Sequence, residues 1–195
     1  MFLKQCTAGS VVEFGKYYDQ NNVSKEPLKW LVTAVCDGRA QLISEKAVDC
    51  IKYHESYTGV TWKECSLRRW LNDDFFRACF EPDEQIRILT TNLPNNAGEN
   101  TDDKIFLLSV DEVKTIFKDR FERQCRASGY AISNGAALIC YGYCSWWLRS
   151  RGRYEFYAGR IDGDGTILGD GHYVDFGSCS VRPVLWLNTE LQTPS

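Results

Sequence analysis

Two runs near the C-terminal end decide how this chain folds: Ser145-Trp146-Trp147-Leu148-Arg149-Ser150 and Val181-Arg182-Pro183-Val184-Leu185-Trp186-Leu187. The first reads as a strand over 146–149. Successive strand side chains point to opposite faces, so one of Trp146 and Trp147 is core and the other is core or the floor of a site. The second reads as a closing apolar strand. Pro183 cannot donate a ladder hydrogen bond, which suggests an edge or a bulge. Between the two runs, residues 151–180 read as short extended pieces broken by glycines at 152, 159, 163, 165, 169, 171 and 177. The closing strand is apolar enough to need the same core as the first strand of the chain. The expectation is therefore one domain over 1–195.

Working outward, Val11-Val12-Glu13-Phe14-Gly15 reads as a short strand ending at its glycine. Lys29-Trp30-Leu31-Val32-Thr33-Ala34-Val35-Cys36 and Arg39-Ala40-Gln41-Leu42-Ile43-Ser44 flank Asp37-Gly38, a strong hairpin signal. Ser66 is a plausible N-cap, followed by apolar residues at Leu67, Trp70, Leu71, Phe75 and Cys79, a helical stripe. Pro82 suits the first turn of a short second helix through Ile88. Residues 92–103 are polar, carry Pro94 and Gly98, and read as a loop. Lys104-Ile105-Phe106-Leu107-Leu108 reads as a buried strand. Ser109 and Glu112 make a capping box for a helix over 111–117. The pattern from 118 to 143 is weak.

Composition narrows the function classes. The chain has 195 residues, 25% of them charged, with a net charge of -3. That balance disfavours a nucleic-acid binder held by phosphate contacts, and it gives no polybasic membrane anchor. Apolar runs are too short to span a bilayer, so no membrane insertion is expected. The opening Met1-Phe2-Leu3-Lys4-Gln5-Cys6 lacks the apolar stretch of a secretory signal, so the protein reads as cytoplasmic as synthesised. Nine cysteines are scattered without a Cys-x-x-Cys pair, and His54 and His172 are isolated. They read as small buried hydrophobes in a reducing compartment, not as a zinc site.

Four segments, taken in order and spacing, carry a resemblance: Thr61-Trp62-Lys63-Glu64-Cys65-Ser66-Leu67-Arg68-Arg69-Trp70-Leu71-Asn72, Ile105-Phe106-Leu107-Leu108-Ser109-Val110-Asp111-Glu112, Ser145 to Ser150, and Val181 to Leu187. The chain resembles, over nearly its whole length, a bacterial and phage domain family of unknown function. That family is similar to the C-type-lectin-like superfamily that also holds the formylglycine-generating enzymes. The resemblance implies an α+β, C-type-lectin-like fold: a small twisted antiparallel sheet, flanking helices and a long irregular C-terminal loop region. Several proteins of that superfamily are variable proteins of diversity-generating retroelements, in which a C-terminal stretch is randomised at adenine-containing codons. The resemblance thereby implies a variable ligand-binding region over 146–182 and association with a phage particle.

The residues between the two runs suit recognition. Arg151, Arg153, Tyr154, Glu155, Phe156, Tyr157, Arg160, Asp162, Asp164, Asp170, His172, Tyr173, Asp175 and Phe176 mix rigid aromatic rings with arginine and small residues, as paratopes do. Only about half of these aromatics are expected to be exposed, since aromatic rings are often largely buried. Because the candidates span a long stretch and do not converge on one pocket, the expected ligand is a protein or other macromolecule. The same stretch also reads as tight hairpins. Arg149 and Arg182 are expected to be structural, paired with a carboxylate or backbone carbonyls. Trp30, Trp70 and Trp186 are expected in the core. Family members often carry a proline where Arg151 stands, a departure compatible with a changed surface.

The reading is thus non-catalytic ligand binding, with no resident cofactor. Two alternatives stay open. Asp162-Gly163-Asp164-Gly165-Thr166 begins like a calcium loop, which would support calcium-assisted carbohydrate binding. An EF-hand would need a glutamate where Tyr173 stands, so a turn at Asp164-Gly165 is the stronger expectation. The superfamily's oxidases hold copper with a C-terminal cysteine pair, for which Cys140, Cys144 and Cys179 are the candidates. Their spacing and surroundings do not match that pair. No phosphate-binding glycine loop and no nucleophile motif is present.

Overall fold

In the computed structural model, which describes residues 6–190, the chain opens with an antiparallel pair, β1 (Val11–Tyr18) and β2 (Lys25–Cys36). The strand expected to stop at Gly15 runs on through it. A bulge between Glu13 and Lys16 absorbs the glycine at φ 69°, and a Cβ there would lie 2.6 Å from the Phe80 ring. Asp37 (φ 48°) and Gly38 (φ 70°) then turn β2 into β3 (Arg39–Ser44), the left-handed pair that a two-residue hairpin needs. A short β4 (Asp49–Cys50) follows. The Met1–Gln5 stretch, read for a leader signal, lies outside the described residues.

The expected helix forms, with a different cap. Cys65 occupies the N-cap, its Sγ accepting the Arg68 N–H at 3.4 Å, and Ser66 is the first helical residue. Helix α1 (Ser66–Trp70) passes through a π-helical turn (Leu71–Phe75) into α2 (Phe76–Cys79). Leu67, Leu71, Phe75 and Cys79 keep one buried stripe. Trp70 sits off that stripe, half-buried against Phe75.

The helix expected from Pro82 to Ile88 is only one turn, α3 (Pro82–Gln85), capped by Glu81 and Glu84, because Ile88 is recruited to strand β5 (Ile88–Leu89). The expected loop at 92–103 holds a small antiparallel ladder, β6 (Thr91–Leu93) with β7 (Thr101–Asp103). Its pairing is polar, with Asn92 Nδ2 donating to Asp102 Oδ1 at 2.7 Å, so it leaves no apolar alternation in the sequence. β8 (Ile105–Phe106) is shorter than expected, although Leu107 and Leu108 are also fully buried. α4 (Val110–Ile116) carries the expected capping box of Ser109 and Glu112.

The weakly patterned 118–143 stretch is a series of short pieces. They are α5 (Arg120–Arg123), β9 (Cys125–Arg126), α6 (Gly129–Ser133) and a 3-10 turn (Cys140–Gly142). β10 (Tyr143–Cys144) follows and pairs with β9. The last third is β11 (Trp146–Arg151), β12 (Tyr157–Ile161), β13 (Ile167–Tyr173), β14 (Ser180–Val181) and β15 (Val184–Asn188).

These strands make two main sheets. The first runs β1-β2-β3-β15-β5, with β8 also on β15; the second runs β13-β12-β11-β14-β4. The α+β class holds, with strand predominant. The single small antiparallel sheet gives way to two, and β11 pairs with β14 in parallel. Pro183 explains the split. The closing run is two strands, and Arg182-Pro183 is the step from the second sheet to the first. There the proline's missing N–H leaves no ladder unpaired, while its carbonyl accepts from Ser44 N–H at 3.0 Å. β15 is therefore central in its sheet, with β3 on one side and β5 and β8 on the other.

One apolar cluster runs through both sheets. Trp30, Trp62, Trp146 and Trp147 are all buried in it, so both tryptophans of β11 are core. Each indole N–H is satisfied: Trp30 by the Phe14 carbonyl, Trp62 by Asp103, Trp146 by the Arg123 carbonyl and Trp147 by the Ile51 carbonyl. Burial of large rings requires such partners. Trp186, expected in the core, is half-buried at its margin, under Arg39. Cys50, Cys65, Cys79, Cys125, Cys144 and Cys179 are buried as free thiols. Among the described residues no helix is long and apolar enough to cross a membrane.

Candidate aromatic recognition surface

The site is built on the β12–β13 hairpin. Asp162 to Thr166 form its turn: the Asp162 N–H donates to the Thr166 carbonyl at 2.8 Å, and the Gly165 N–H to the Asp162 carbonyl at 2.8 Å. Gly165 has φ +86°, and a Cβ there would lie 1.8 Å from the Arg120 carbonyl oxygen, so this turn docks backbone to backbone on α5. The long loop region implied by the resemblance is thus in good part an ordered hairpin. Gly152 and Gly171 let the segment after β11 lie directly on it. Cβ atoms there would come within 2.4 Å of the Asp170 oxygen and 2.5 Å of the Ala158 oxygen. The glycines serve close approach.

Strand alternation divides the candidate residues between the hairpin's two faces. Tyr157 lies opposite Tyr173 on one face, with ring centroids 4.9 Å apart. Tyr154 stacks on Phe156 at 5.6 Å with a 10° interplanar angle, and edges onto Tyr157 at 5.2 Å. Arg153 lies over the Tyr154 ring at 5.5 Å. Tyr57, which the sequence reading did not single out, completes the cluster at 4.8 Å from Phe156 and 5.2 Å from Tyr173. Its loop is tied to the hairpin by Val60 N–H to the Glu155 carbonyl, 3.0 Å, and by His54 N–H to the Val174 carbonyl, 2.8 Å. Tyr57, Tyr154 and Tyr173 are 51%, 47% and 43% exposed, and Phe156 and Tyr157 are half-buried beneath them.

The opposite face collects Arg160, His172 and Phe176. His172 packs on Phe176 at 4.2 Å, and the Arg160 guanidinium lies 5.7 Å from the same ring. Arg160 also approaches Asp162 at 3.8 Å. All four are half-buried, as is Asp175. Burial and the Arg160 charge lower the His172 pKa, against a smaller opposing pull from Asp175. Arg151, Glu155 and Asp170 are exposed. Arg151 N–H and carbonyl are both taken by the Asn96 side-chain amide, at 2.9 and 3.1 Å, which closes the end of β11. The fourteen candidates therefore do not form one surface. Arg153, Tyr154, Glu155, Phe156, Tyr157 and Tyr173 gather with Tyr57, and the Arg160 group on the other face meets them only where the His172 ring edges onto Tyr173 at 5.3 Å.

The phenols of the cluster are electrostatically linked. A hydrogen bond with Tyr173, then burial, pushes Tyr157 up to about 12, and burial with the Tyr173 and Asp175 charges raises Tyr57. Tyr57 and Tyr157 are thus neutral phenols at physiological pH. Arg149 and Arg182, which flank the surface, are structural. Arg149 is 3% exposed and gives its Nη1 to the Leu107 carbonyl at 2.9 Å and both Nη atoms to Glu112. Arg182 is 4% exposed, donates Nε to the Ser44 carbonyl at 3.0 Å and stacks on Trp146.

The carboxylates of the calcium-like run turn to different partners. Asp162 accepts from Ser145 Oγ at 3.1 Å, and Asp164 caps its own turn through the Thr166 N–H at 2.9 Å, which lowers its pKa. Among the described residues no three His, Cys, Asp or Glu side chains are grouped to hold a metal. Cys144 and Cys179 are buried free thiols, and the Cys140 side chain lies outside the described set. A groove of about 510 Å³ lies beside α1, lined by Lys52, Glu55, Arg69, Trp70, Asp73 and Arg77 among others, and none of its lining belongs to the hairpin.

Residues 37–189 match a family described as Domain of unknown function (DUF6273), and the chain belongs to that family. No curated protein and no solved structure matches the chain.

Proposed function

We propose that the protein is a non-catalytic recognition protein, and that the ring cluster of Tyr57, Tyr154, Phe156, Tyr157 and Tyr173 is its ligand-binding surface. One observation carries this reading: ring contacts link five aromatic side chains into one continuous network, and three of them are more than two-fifths exposed. Contiguous exposed apolar patches mark interaction sites, and tyrosine offers large area with little entropy to lose. Tyr157 and Tyr173 sit on the hairpin, and backbone hydrogen bonds tie the Tyr57 loop to the same region, so the surface is preorganised. The rings line none of the three grooves described on the chain, and exposed rings spread over a surface favour a protein or other macromolecule over a small metabolite.

The resemblance supports placing this surface on a C-type-lectin-like scaffold with 146–182 as a diversified stretch, in a phage-associated variable protein. A second copy of the gene's 3′ end beside a reverse-transcriptase gene, differing mainly at adenines, supports diversification; its absence leaves a fixed binder. The binding reading itself is tested by selecting a displayed peptide library on the immobilised protein, in parallel with a Tyr57→Ser/Tyr154→Ser/Tyr173→Ser variant that retains its circular dichroism. Clones that need the three tyrosines support the surface; clones that bind both proteins equally contradict it. Calcium-dependent binding on a glycan array favours the carbohydrate alternative, and stoichiometric copper uptake with loss of free thiols favours the oxidase alternative.

A further inference from the structure

The buried thiols hold an arrangement that the recognition surface does not use. Cys125 and Cys144 lie directly opposite each other in the antiparallel β9–β10 ladder, at 1% and 0% exposure. The Cys144 thiol also donates to the Cys125 carbonyl at 3.5 Å. Opposed residues in such a ladder have Cα atoms about 4.5–5.5 Å apart, within the roughly 4.4–6.8 Å that a disulfide spans. Both are free thiols. A second observation concerns Arg182. Its guanidinium is buried against Trp146 and Phe117, it enters no ion pair with a carboxylate among the described residues, and its Nη1 lacks a hydrogen-bond partner. A buried cation without a counter-charge is costly.

We propose that Cys125 and Cys144 are a redox-active dithiol, with Cys125 as the nucleophile beside Arg182 and Cys144 as the resolving thiol, oxidised by hydroperoxides. The Cys125 thiolate is the anion that the Arg182 site lacks. Burial raises the Cys125 thiol and Glu45 opposes its ionisation, but the Cys144 hydrogen bond and the Arg182 charge outweigh them and lower it. Cys144 moves the opposite way: the Cys125 contact and burial raise it, as does nearby Cys179, against a smaller pull from Ser180. One thiolate beside one thiol is the pairing that disulfide chemistry needs.

In the first step the Cys125 thiolate attacks a peroxide oxygen. An S–O bond forms, the O–O bond breaks, and the leaving oxygen departs as water or alcohol after protonation. In the second step the Cys144 sulfur, losing its proton, attacks the sulfenic sulfur; an S–S bond forms and water leaves. Two electrons pass from the sulfurs to the peroxide. Access comes through local opening of a ladder two residues long, beside the exposed turn at Tyr141 (φ 65°).

The test is titration of the full chain with hydrogen peroxide, alkylation of remaining thiols, and peptide mass spectrometry. The expected result is a Cys125–Cys144 linkage that a reductant removes. In Cys144→Ser the linkage is lost and dimedone labels Cys125, while in Cys125→Ser the linkage is lost and Cys144 stays reduced. Exposed Cys36 is the internal comparison. If Cys36 is oxidised while Cys125 and Cys144 of the folded chain remain reduced, the proposal is overturned. It is overturned equally if, in Cys144→Ser, dimedone fails to label Cys125 after peroxide treatment.

Discussion

Glu112 reaches the buried guanidinium of Arg149 with both carboxylate oxygens while also accepting the Ser109 N–H that starts α4. One side chain thus ties α4 to β11, the strand from which the recognition hairpin grows. Arg149 is 3% exposed, so its charge depends on Glu112.

Removing that charge alone is therefore expected to be expensive. Glu112→Gln keeps the cap acceptor but leaves Arg149 buried without a counter-ion, at a cost of about 3 kcal/mol. Ser109→Ala removes only the reciprocal half of the capping box and costs about 1 kcal/mol. Urea unfolding of the two variants measures the ordering. Equal losses would mean that Glu112 acts mainly as a cap.

The hairpin turn makes a second prediction. Gly165 and Gly135 both have positive φ, +86° and +98°, but a Cβ at Gly165 would strike the Arg120 carbonyl, whereas Gly135 has open space. Gly135→Ala is expected to cost about 1 kcal/mol from backbone strain alone. Gly165→Ala should cost about 3 kcal/mol, because backbone must also move. Thermal unfolding of the pair separates strain from collision.

Asp49 gives a pH dependence. Burial raises its pKa, although Asn134, the Cys50 N–H and Tyr17 all donate to its carboxylate. The folded state therefore holds this proton more tightly than the unfolded chain does. Its contribution to stability is full below the unfolded value of about 4 and is lost as pH rises through the raised folded value. Across that window, stability of the native chain relative to Asp49→Asn should fall with rising pH. A relative stability that instead rises would show that the three donors outweigh burial.

Much of the scaffold is legible in the sequence, because local chemistry carries it. Asp37-Gly38 specifies its turn, Ser109 and Glu112 their cap, and Leu67, Leu71 and Phe75 the helix stripe. What is not legible depends on distant partners. Cys65 displaces Ser66 as a cap, its sulfur accepting the Arg68 N–H while donating to the Trp62 carbonyl. Asn92 and Asp102 form a ladder through side-chain hydrogen bonds that leave no periodicity. Pro183 marks a change of sheet, and a single-strand reading cannot see that. The candidate surface was half legible: the hairpin's tyrosines stand together in sequence, but Tyr57 arrives from a polar loop about a hundred positions away. A lone aromatic among Glu55, Ser56 and Thr58 is the only local signal for it.

The central claim is that the contiguous ring cluster, and not the other exposed apolar or aromatic side chains, makes the binding surface. Tyr57, Tyr154 and Tyr173 should matter far more for binding than for folding, since each is already more than two-fifths exposed. Leu138 and Phe121 are similarly or more exposed, at 43% and 65%, but stand outside the ring cluster. The direct measurement is titration of a library-selected ligand against the native chain, Tyr173→Ser and Phe121→Ser. The account predicts that Tyr173→Ser weakens affinity about 30-fold, a loss of about 2 kcal/mol, while Phe121→Ser leaves it unchanged. Equal affinities for the native chain and Tyr173→Ser, with loss in Phe121→Ser, would contradict it.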